Sequence, residues 1–193
     1  MAKPSHRETI LTEGLRVVHA HGFANASVRD IVQAAGVPQG SFTNHFASKE
    51  AFGLEVIDLY FSRSEKTIRQ TLRNDALPPL QRLAEYIETS RNRLNQDSMR
   101  NGCMLGNFTA EATDHSEPIR EKLLKIFEEI SSSVAYCLEA AVKSGELRPD
   151  FECREVAAFI VSSLQGANLL AKAQRDPEPV DRFKRILFST ILH

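Results

Sequence analysis

The chain has 193 residues, of which 42% are hydrophobic and 25% are charged, and its formal net charge at pH 7 is −1. This is the balance of an ordinary soluble globular protein with room for one large or two small domains. A net charge so close to zero does not indicate a nucleic-acid partner by itself, so such a function has to rest on where the charges lie.

The absence of targeting signals and the cysteine pattern predict a cytoplasmic protein. The sequence has no run of about 18 apolar residues that would span a membrane, and residues 1–7 contain no apolar signal-peptide core. Its three cysteines, Cys103, Cys137 and Cys153, are odd in number and lack the spacing of metal ligands. Reduced thiols fit this pattern best, and we expect neither a bound metal nor a cofactor.

The first predicted helix covers residues 5–21. Ser5 followed three residues later by Glu8 has the pattern of a capping box. Gly22 is expected to end the helix, and Phe23 to fill the junction with the next one. The buried stripe of this helix is predicted at Ile10, Leu11, Leu15 and Val18.

Residues 27–47 have the pattern of a helix-turn-helix motif. Ser27 and Asp30 form a short-armed capping box, and Gly36 stands where a helix usually ends in a left-handed residue. After Pro38 a second helix of about two turns is anchored by two phenylalanines, Phe42 and Phe46. Its polar face is short and built of small residues, which suits the major groove of DNA. The apolar face of the first motif helix consists of Val28, Ile31, Val32 and Ala35.

Six further helices are predicted, and no strand-like alternation persists anywhere in the chain. The first is capped by Ser48 and extends to about Arg73, and the small residues Ser163, Ala167 and Ala171 recur along one stripe of the fifth. The predicted fold is therefore all-α with about nine helices. The six further helices are predicted at residues 48–73, 79–94, 102–113, 117–144, 154–173 and 179–192.

The segment GVPQGSF at residues 36–42, followed by HFASKE at residues 45–50, resembles the signature of the tetracycline-repressor (TetR) family of bacterial transcriptional regulators. The resemblance covers about the first quarter of the chain. It implies a DNA-binding domain at residues 1–51 and an effector-binding and dimerisation domain at residues 52–193. It further implies a cytoplasmic bacterial repressor that binds a palindromic operator in double-stranded DNA and is released by an effector.

The same resemblance implies a homodimer formed through residues 154–173 and 179–192, which pair with their copies in a four-helix interface. A symmetric protein reading a palindromic site needs a self-complementary surface. The alternative is that these helices only complete the core of a single chain.

The resemblance also implies which side chains contact DNA. Arg29 matches a position that reaches a base edge, where arginine pairs with guanine. Gln39 opens the recognition helix and is able to read adenine, while His45 and Lys49 are expected at phosphates. The family usually has tyrosine where this chain has Thr43, which shortens the reach of that contact. The predicted DNA-binding residues are Arg29, Gln39, Gly40, Ser41, Thr43, Asn44, His45 and Lys49.

A repressor of this type couples an effector site to its DNA-binding domains. Cys103 lies at the start of a short predicted helix with Arg100 close by, and both features favour the reactive thiolate form of a cysteine. Residues 102–105 and 110–111 resemble the N-ethylmaleimide-responsive repressor subgroup, which senses electrophiles and oxidants through a cysteine. The alternative is a small buried thiol without a regulatory role. The other candidate effector-site residues are Tyr60, Tyr86, Phe108, Tyr136, Gln165 and Asn168.

Two other classes of protein, an enzyme and a helical adaptor, fit the sequence less well. An enzyme is not expected, because the chain has no glycine-rich phosphate loop and no nucleophile elbow. Glu111, Asp114 and His115 are spaced i, i+3 and i, i+4, so on one continuous helix they would share a face and fit a metal or acid–base cluster, but hydrated side chains at a helix end explain them as well. A helical protein–protein adaptor without DNA binding fits the composition, yet it leaves the polar recognition helix unexplained.

Overall fold

The computed structural model describes residues 5–193, and these residues contain no β-strand. The prediction of an all-α protein with about nine helices is therefore confirmed. A π-helical segment, Leu187–Ile191, directly continues the last helix. The nine α-helices of the described residues are α1 (His6–His21), α2 (Val28–Ala34), α3 (Gly40–His45), α4 (Lys49–Gln70), α5 (Pro79–Asn95), α6 (Met104–Ala112), α7 (Glu117–Ser144), α8 (Cys153–Gln174) and α9 (Glu178–Ile186).

Local capping signals fix where the first helices begin. The Ser5 hydroxyl accepts a hydrogen bond from the Glu8 amide, and the Glu8 carboxylate accepts one from the Ser5 amide. Ser27 and Asp30 form the same reciprocal pair at α2, and this hydrogen bonding lowers the pKa of the Asp30 carboxyl. Both predicted capping boxes are thus confirmed. Each of them satisfies backbone donors that a helix start otherwise leaves without partners.

The chain forms two compact units, one of Met1–Ser62 with Met104–Leu124 and the other of Arg63–Cys103 with Lys125–His193. Residues 1–4 of the first unit lie outside the described residues. This division does not coincide with the predicted boundary after residue 51, because α6 and the start of α7 pack with the N-terminal helices. The functional division at that boundary stays a prediction.

The first unit is built around an aromatic cluster beneath the helix-turn-helix motif. Phe42 on α3 lies with its ring centroid 5.3 Å from those of Phe46 and Phe52, and Phe46 stands 5.1 Å from Phe52. All three side chains are buried. Phe46 differs from the prediction in one respect, because its backbone is extended and it follows α3 instead of belonging to it.

The second unit contains α5, most of α7, α8 and α9, and a polar contact network around the exposed Asp75. The Tyr136 hydroxyl donates to both Asp75 oxygens at 2.9 Å, and the Arg73 guanidinium lies 4.4 Å from the Tyr136 ring centroid. The buried Arg82 guanidinium binds the same carboxylate at 2.5 Å. These contacts fix the loop between α4 and α5 against α7.

Helix α8 combines a buried and an exposed apolar face. Ala167 and Ala171, two of the three small residues predicted to allow close helix approach, are buried inside the chain itself. Phe159, Leu169 and Leu170 are instead 49%, 68% and 54% exposed. Within the described residues α8 is also the one helix long and apolar enough to cross a membrane, which is a weak signal because the core helix of a soluble protein passes the same test.

Candidate nucleic-acid interface and sensor region

Helices α2 and α3 present a polar surface above the aromatic cluster. The buried side chains of Phe42 and Phe46 hold α3 from below, so its remaining residues face outward. No side-chain hydrogen bond within the described part of the chain engages Arg29, Gln39 or Asn44. Of the eight predicted contact residues, six are exposed and two, Ser41 and Lys49, are half-buried.

Thr43 is bound within its own helix. Its hydroxyl donates to the Gly40 carbonyl at 3.1 Å, so the donor is already used before any DNA contact. This supports the expectation that threonine gives a weaker contact here than the longer tyrosine of the family. The Thr43 methyl group remains the part able to meet a base.

Gly40 is not required by the chain's own packing. A methyl group built on this residue would meet no atom within 4 Å, and its backbone lies outside the left-handed region that favours glycine. Glycine at the first position of α3 therefore has no internal explanation. A surface outside the chain that approaches this backbone closely would supply one.

Lys49 is directed into the first unit. Its ammonium donates to the Ala24 carbonyl at 3.2 Å and lies 4.9 Å from the Phe23 ring centroid. Burial lowers the pKa of Lys49, and the nearby Glu111 carboxylate counteracts this shift. The predicted phosphate contact of Lys49 stays a prediction, and it would have to share this ammonium with Ala24.

The candidate effector residues are divided between the two units. In the first unit, the Tyr60 hydroxyl accepts a hydrogen bond from the Met104 amide at 3.4 Å, and Phe108 packs on Phe23 with a centroid distance of 4.8 Å. In the second, the Tyr136 hydroxyl is bound to Asp75, as described above. Asn168 is buried, and its amide oxygen accepts no hydrogen bond from the described residues.

Cys103 and Tyr86 lie within electrostatic reach of each other. Burial raises the pKa of Tyr86 to about 12, while Arg93 lowers it and Cys103 raises it. Arg93 follows Tyr86 by two helical turns on α5, and its guanidinium donates to the Ser64 hydroxyl at 3.1 Å. Arg93 is therefore the cation that acts on Tyr86, and it was not among the predicted site residues, although its i, i+7 spacing from Tyr86 on one helix was a usable signal.

Burial disfavours the thiolate form of Cys137 and Cys153. Burial raises the pKa of the Cys137 thiol to about 11, and its sulfur lies 3.0 Å from the Pro79 carbonyl oxygen, to which it donates. Burial and the Glu139 charge raise the pKa of Cys153 as well. Because the thiolate is the reactive form, both cysteines are suited to structural roles.

Glu111, Asp114 and His115 do not share one helix face, because α6 ends at Ala112 and the other two residues follow it. No group of three or more His, Cys, Asp or Glu side chains able to bind a metal occurs among residues 5–193. Glu111, the first member of the cluster considered from the sequence, accepts a hydrogen bond from the Ala24 amide at 3.0 Å.

A helix-turn-helix motif with an exposed polar second helix, joined to a larger helical unit, defines the class of DNA-binding transcriptional regulators. Comparison with known protein families identifies the family within this class. Residues 10–56 match the family "Bacterial regulatory proteins, tetR family", and residues 79–187 match "Tetracyclin repressor-like, C-terminal domain". The chain therefore belongs to the tetR family and is a helix-turn-helix transcriptional regulator, not an enzyme.

Named relatives agree with this assignment. The HTH-type transcriptional repressor DhaR of Mycobacterium sp. (strain GP1) is 36% identical over 192 residues, which cover 100% of this chain and 95% of DhaR. The crystal structure of regulatory protein TetR from Rhodobacter sphaeroides is 28% identical with a TM-score of 0.88, covering 93% of this chain and 95% of that one. The reduced form of Escherichia coli NemR is 26% identical with a TM-score of 0.84, covering 93% of both chains.

Proposed function

We propose that two copies of this chain bind one palindromic operator in bacterial cytoplasm and repress transcription beside it. The observation that carries the proposal is the outward face of α2 and α3, where Arg29, Gln39 and Asn44 are exposed without internal hydrogen bonds. Arginine, glutamine and asparagine are the side chains that read base edges in the major groove by paired hydrogen bonds.

The exposed apolar face of α8 supports the paired arrangement. Phe159, Leu169 and Leu170 on α8, with the 50% exposed Ile186 on α9, leave a large apolar surface outside the core. Such surfaces mark contacts with other proteins, and a two-fold axis would bring two identical faces together. The family relationship favours this partner over the membrane that the hydropathy of α8 alone would allow.

The stoichiometry of the complex tests the proposal. Light scattering should give twice the 21.6 kDa of one chain for the free protein. Titration of the intergenic DNA beside the chain's own gene should saturate at two chains for each site. A monomer that binds no DNA from this region would instead support the helical adaptor.

Replacing Gly40 with alanine is expected to separate folding from DNA binding. The added methyl group meets no atom of the chain, so the thermal midpoint should be equal or slightly higher. Operator affinity should fall by about tenfold, because the methyl group would stand between α3 and a closely approaching DNA backbone. Melting curves and fluorescence anisotropy on the same sample check both halves, and unchanged affinity would contradict the close approach.

We further propose that modification of Cys103 releases the operator. Two observations support this sensor: burial raises the pKa values of the Cys137 and Cys153 thiols, and the half-buried Cys103 lies within electrostatic reach of Tyr86. With N-ethylmaleimide as the probe, the sulfur of Cys103 would add across the maleimide double bond. A carbon–sulfur bond forms, and the thiol proton ends on the neighbouring maleimide carbon.

Cys103→Ser is expected to keep operator affinity and to lose the response to N-ethylmaleimide. Wild type should gain one adduct on Cys103 by mass spectrometry and lose at least about tenfold in affinity, the range of a typical coupling free energy. Cys153→Ser is the matched control, since it removes another half-buried thiol, and it should respond as wild type does. Release that persists in Cys103→Ser would contradict the cysteine sensor.

If N-ethylmaleimide left the operator affinity of wild type and of both variants unchanged, a non-covalent effector would be favoured. The buried amide oxygen of Asn168, which accepts no hydrogen bond within the described residues, would then be the group to test against ligands that carry a hydrogen-bond donor.

A further inference from the structure

We propose that Glu111 is a positioning residue for operator recognition, acting through the turn of residues 22–25 between α1 and α2. The proposal rests on the DNA-binding function proposed above. Glu111 does not belong to the recognition surface itself. Its carboxylate binds the turn that precedes α2. The same turn also binds the side chain of Lys49, at the start of α4.

The two charged groups bind opposite ends of one residue in this turn. The Glu111 carboxylate accepts a hydrogen bond from the Ala24 amide at 3.0 Å, and the Lys49 ammonium donates to the Ala24 carbonyl at 3.2 Å. Hydrogen bonds with an ionised partner are roughly twice as strong as neutral ones. The position of Ala24 is therefore set from α6 on one side and from α4 on the other.

The turn is shaped to receive this carboxylate. Gly22 has a φ of +85°, and a methyl group added to it would lie 2.7 and 2.8 Å from the two Glu111 oxygens. Any larger residue would push the carboxylate away from the Ala24 amide. Glycine is needed here for both its backbone conformation and the close approach of α6.

Aromatic packing reinforces the same contact. Phe23 lies against Phe108 on α6 with a centroid distance of 4.8 Å, and a methyl group on Gly53 would stand 2.7 Å from the Phe23 ring. Phe108 and Glu111 are three residues apart and share one face of α6. A displacement of α6 would therefore move Phe23 and Ala24 together.

The turn leads directly into the recognition motif. Ser27, three residues after Ala24, caps α2, whose first turn carries Arg29. At the other end of the contact, α6 begins at Met104, the residue that follows Cys103 in the chain. Through Glu111, a change in the position of α6 would therefore change the positions of Arg29 and Lys49.

The test compares Glu111→Ala, Glu111→Gln and Glu117→Ala in the full chain. Glutamine keeps an acceptor for the Ala24 amide, and Glu117 on the neighbouring helix is an exposed glutamate whose carboxylate binds Arg120. Operator affinity is measured by anisotropy, stability by thermal unfolding, and the contact itself by hydrogen exchange at the Ala24 amide.

Glu111→Ala is expected to weaken operator binding about tenfold, as the loss of one charge-assisted hydrogen bond predicts. Exchange at Ala24 should accelerate, while the protein stays folded at the assay temperature. Glu111→Gln should restore slow exchange and bind within about threefold of wild type, and Glu117→Ala should match wild type in every readout. Wild-type or tighter binding by Glu111→Ala, with Ala24 exchanging rapidly, would overturn the proposal. If wild type itself bound no operator, the proposed function would fail, which is a distinguishable result.

Discussion

Replacing Leu169 with glutamate is expected to leave the chain monomeric and to lower operator affinity by at least about 100-fold. The side chain is 68% exposed on the apolar face of α8, the largest exposure among the large exposed apolar residues. In a two-fold interface, each copy would bury a carboxylate against apolar surface, which costs several kcal/mol without a partner charge. A monomer contacts only one half-site, so most of the paired affinity is lost.

Light scattering and anisotropy on the same preparation measure this effect. The matched control is Leu124→Glu, which places the same charge at a 48% exposed leucine on α7, outside α8 and α9. The control should remain dimeric and bind as wild type does. If the Leu169→Glu protein remained dimeric, the subunit interface would lie elsewhere. If it were monomeric with full operator affinity, dimerisation would not be required for DNA binding.

Replacing Arg29 with alanine is expected to reduce operator affinity by about 1–3 kcal/mol and to relax discrimination at one base pair. The side chain is exposed at the start of α2 and has no hydrogen bond within the described residues, so its loss removes no internal contact. Titrations against operators changed one base pair at a time locate the relaxed position.

Arg16→Ala provides the control for a simple loss of charge. Arg16 is a 71% exposed arginine on α1 whose contact is the neighbouring Glu13. It should bind within about twofold of wild type, as expected for an exposed charge outside the predicted DNA-binding residues. Equal losses for both variants would show that Arg29 contributes only long-range attraction, and unchanged specificity would contradict its base contact.

The features predicted correctly from sequence are those with local causes. Ser5 with Glu8 and Ser27 with Asp30 are three residues apart, so their capping geometry follows from the chain's immediate order. Gly36 has the predicted left-handed backbone, with a φ of +64°. The presence of the helices, the helix-turn-helix motif and the membership of the family were all predicted from local sequence patterns of this kind.

The features that sequence reasoning missed depend on contacts between distant residues. The Glu111 carboxylate meets Ala24 across 87 positions, and the Lys49 ammonium turns inward to the same residue. No local pattern distinguishes these side chains from solvated ones, because the partner is fixed only when the helices pack.

The faces of α8 illustrate the same difference. The small-residue stripe and the apolar stripe are both visible in the sequence, and either could serve an interface between chains. Packing decides between them, since Ala171 is 1% exposed and Leu169 is 68% exposed. The helix was predictable, whereas the choice of its outward face was not.

The measurement that tests the central claim most directly is equilibrium binding of the full chain to the intergenic DNA beside its own gene, with scrambled DNA of equal length and composition as the reference. The account predicts saturable binding at physiological salt that is at least about 10³-fold tighter than to the scrambled sequence, with a footprint that is two-fold symmetric. Equal affinity for both DNAs, or no binding to either, would contradict sequence-specific recognition by α2 and α3.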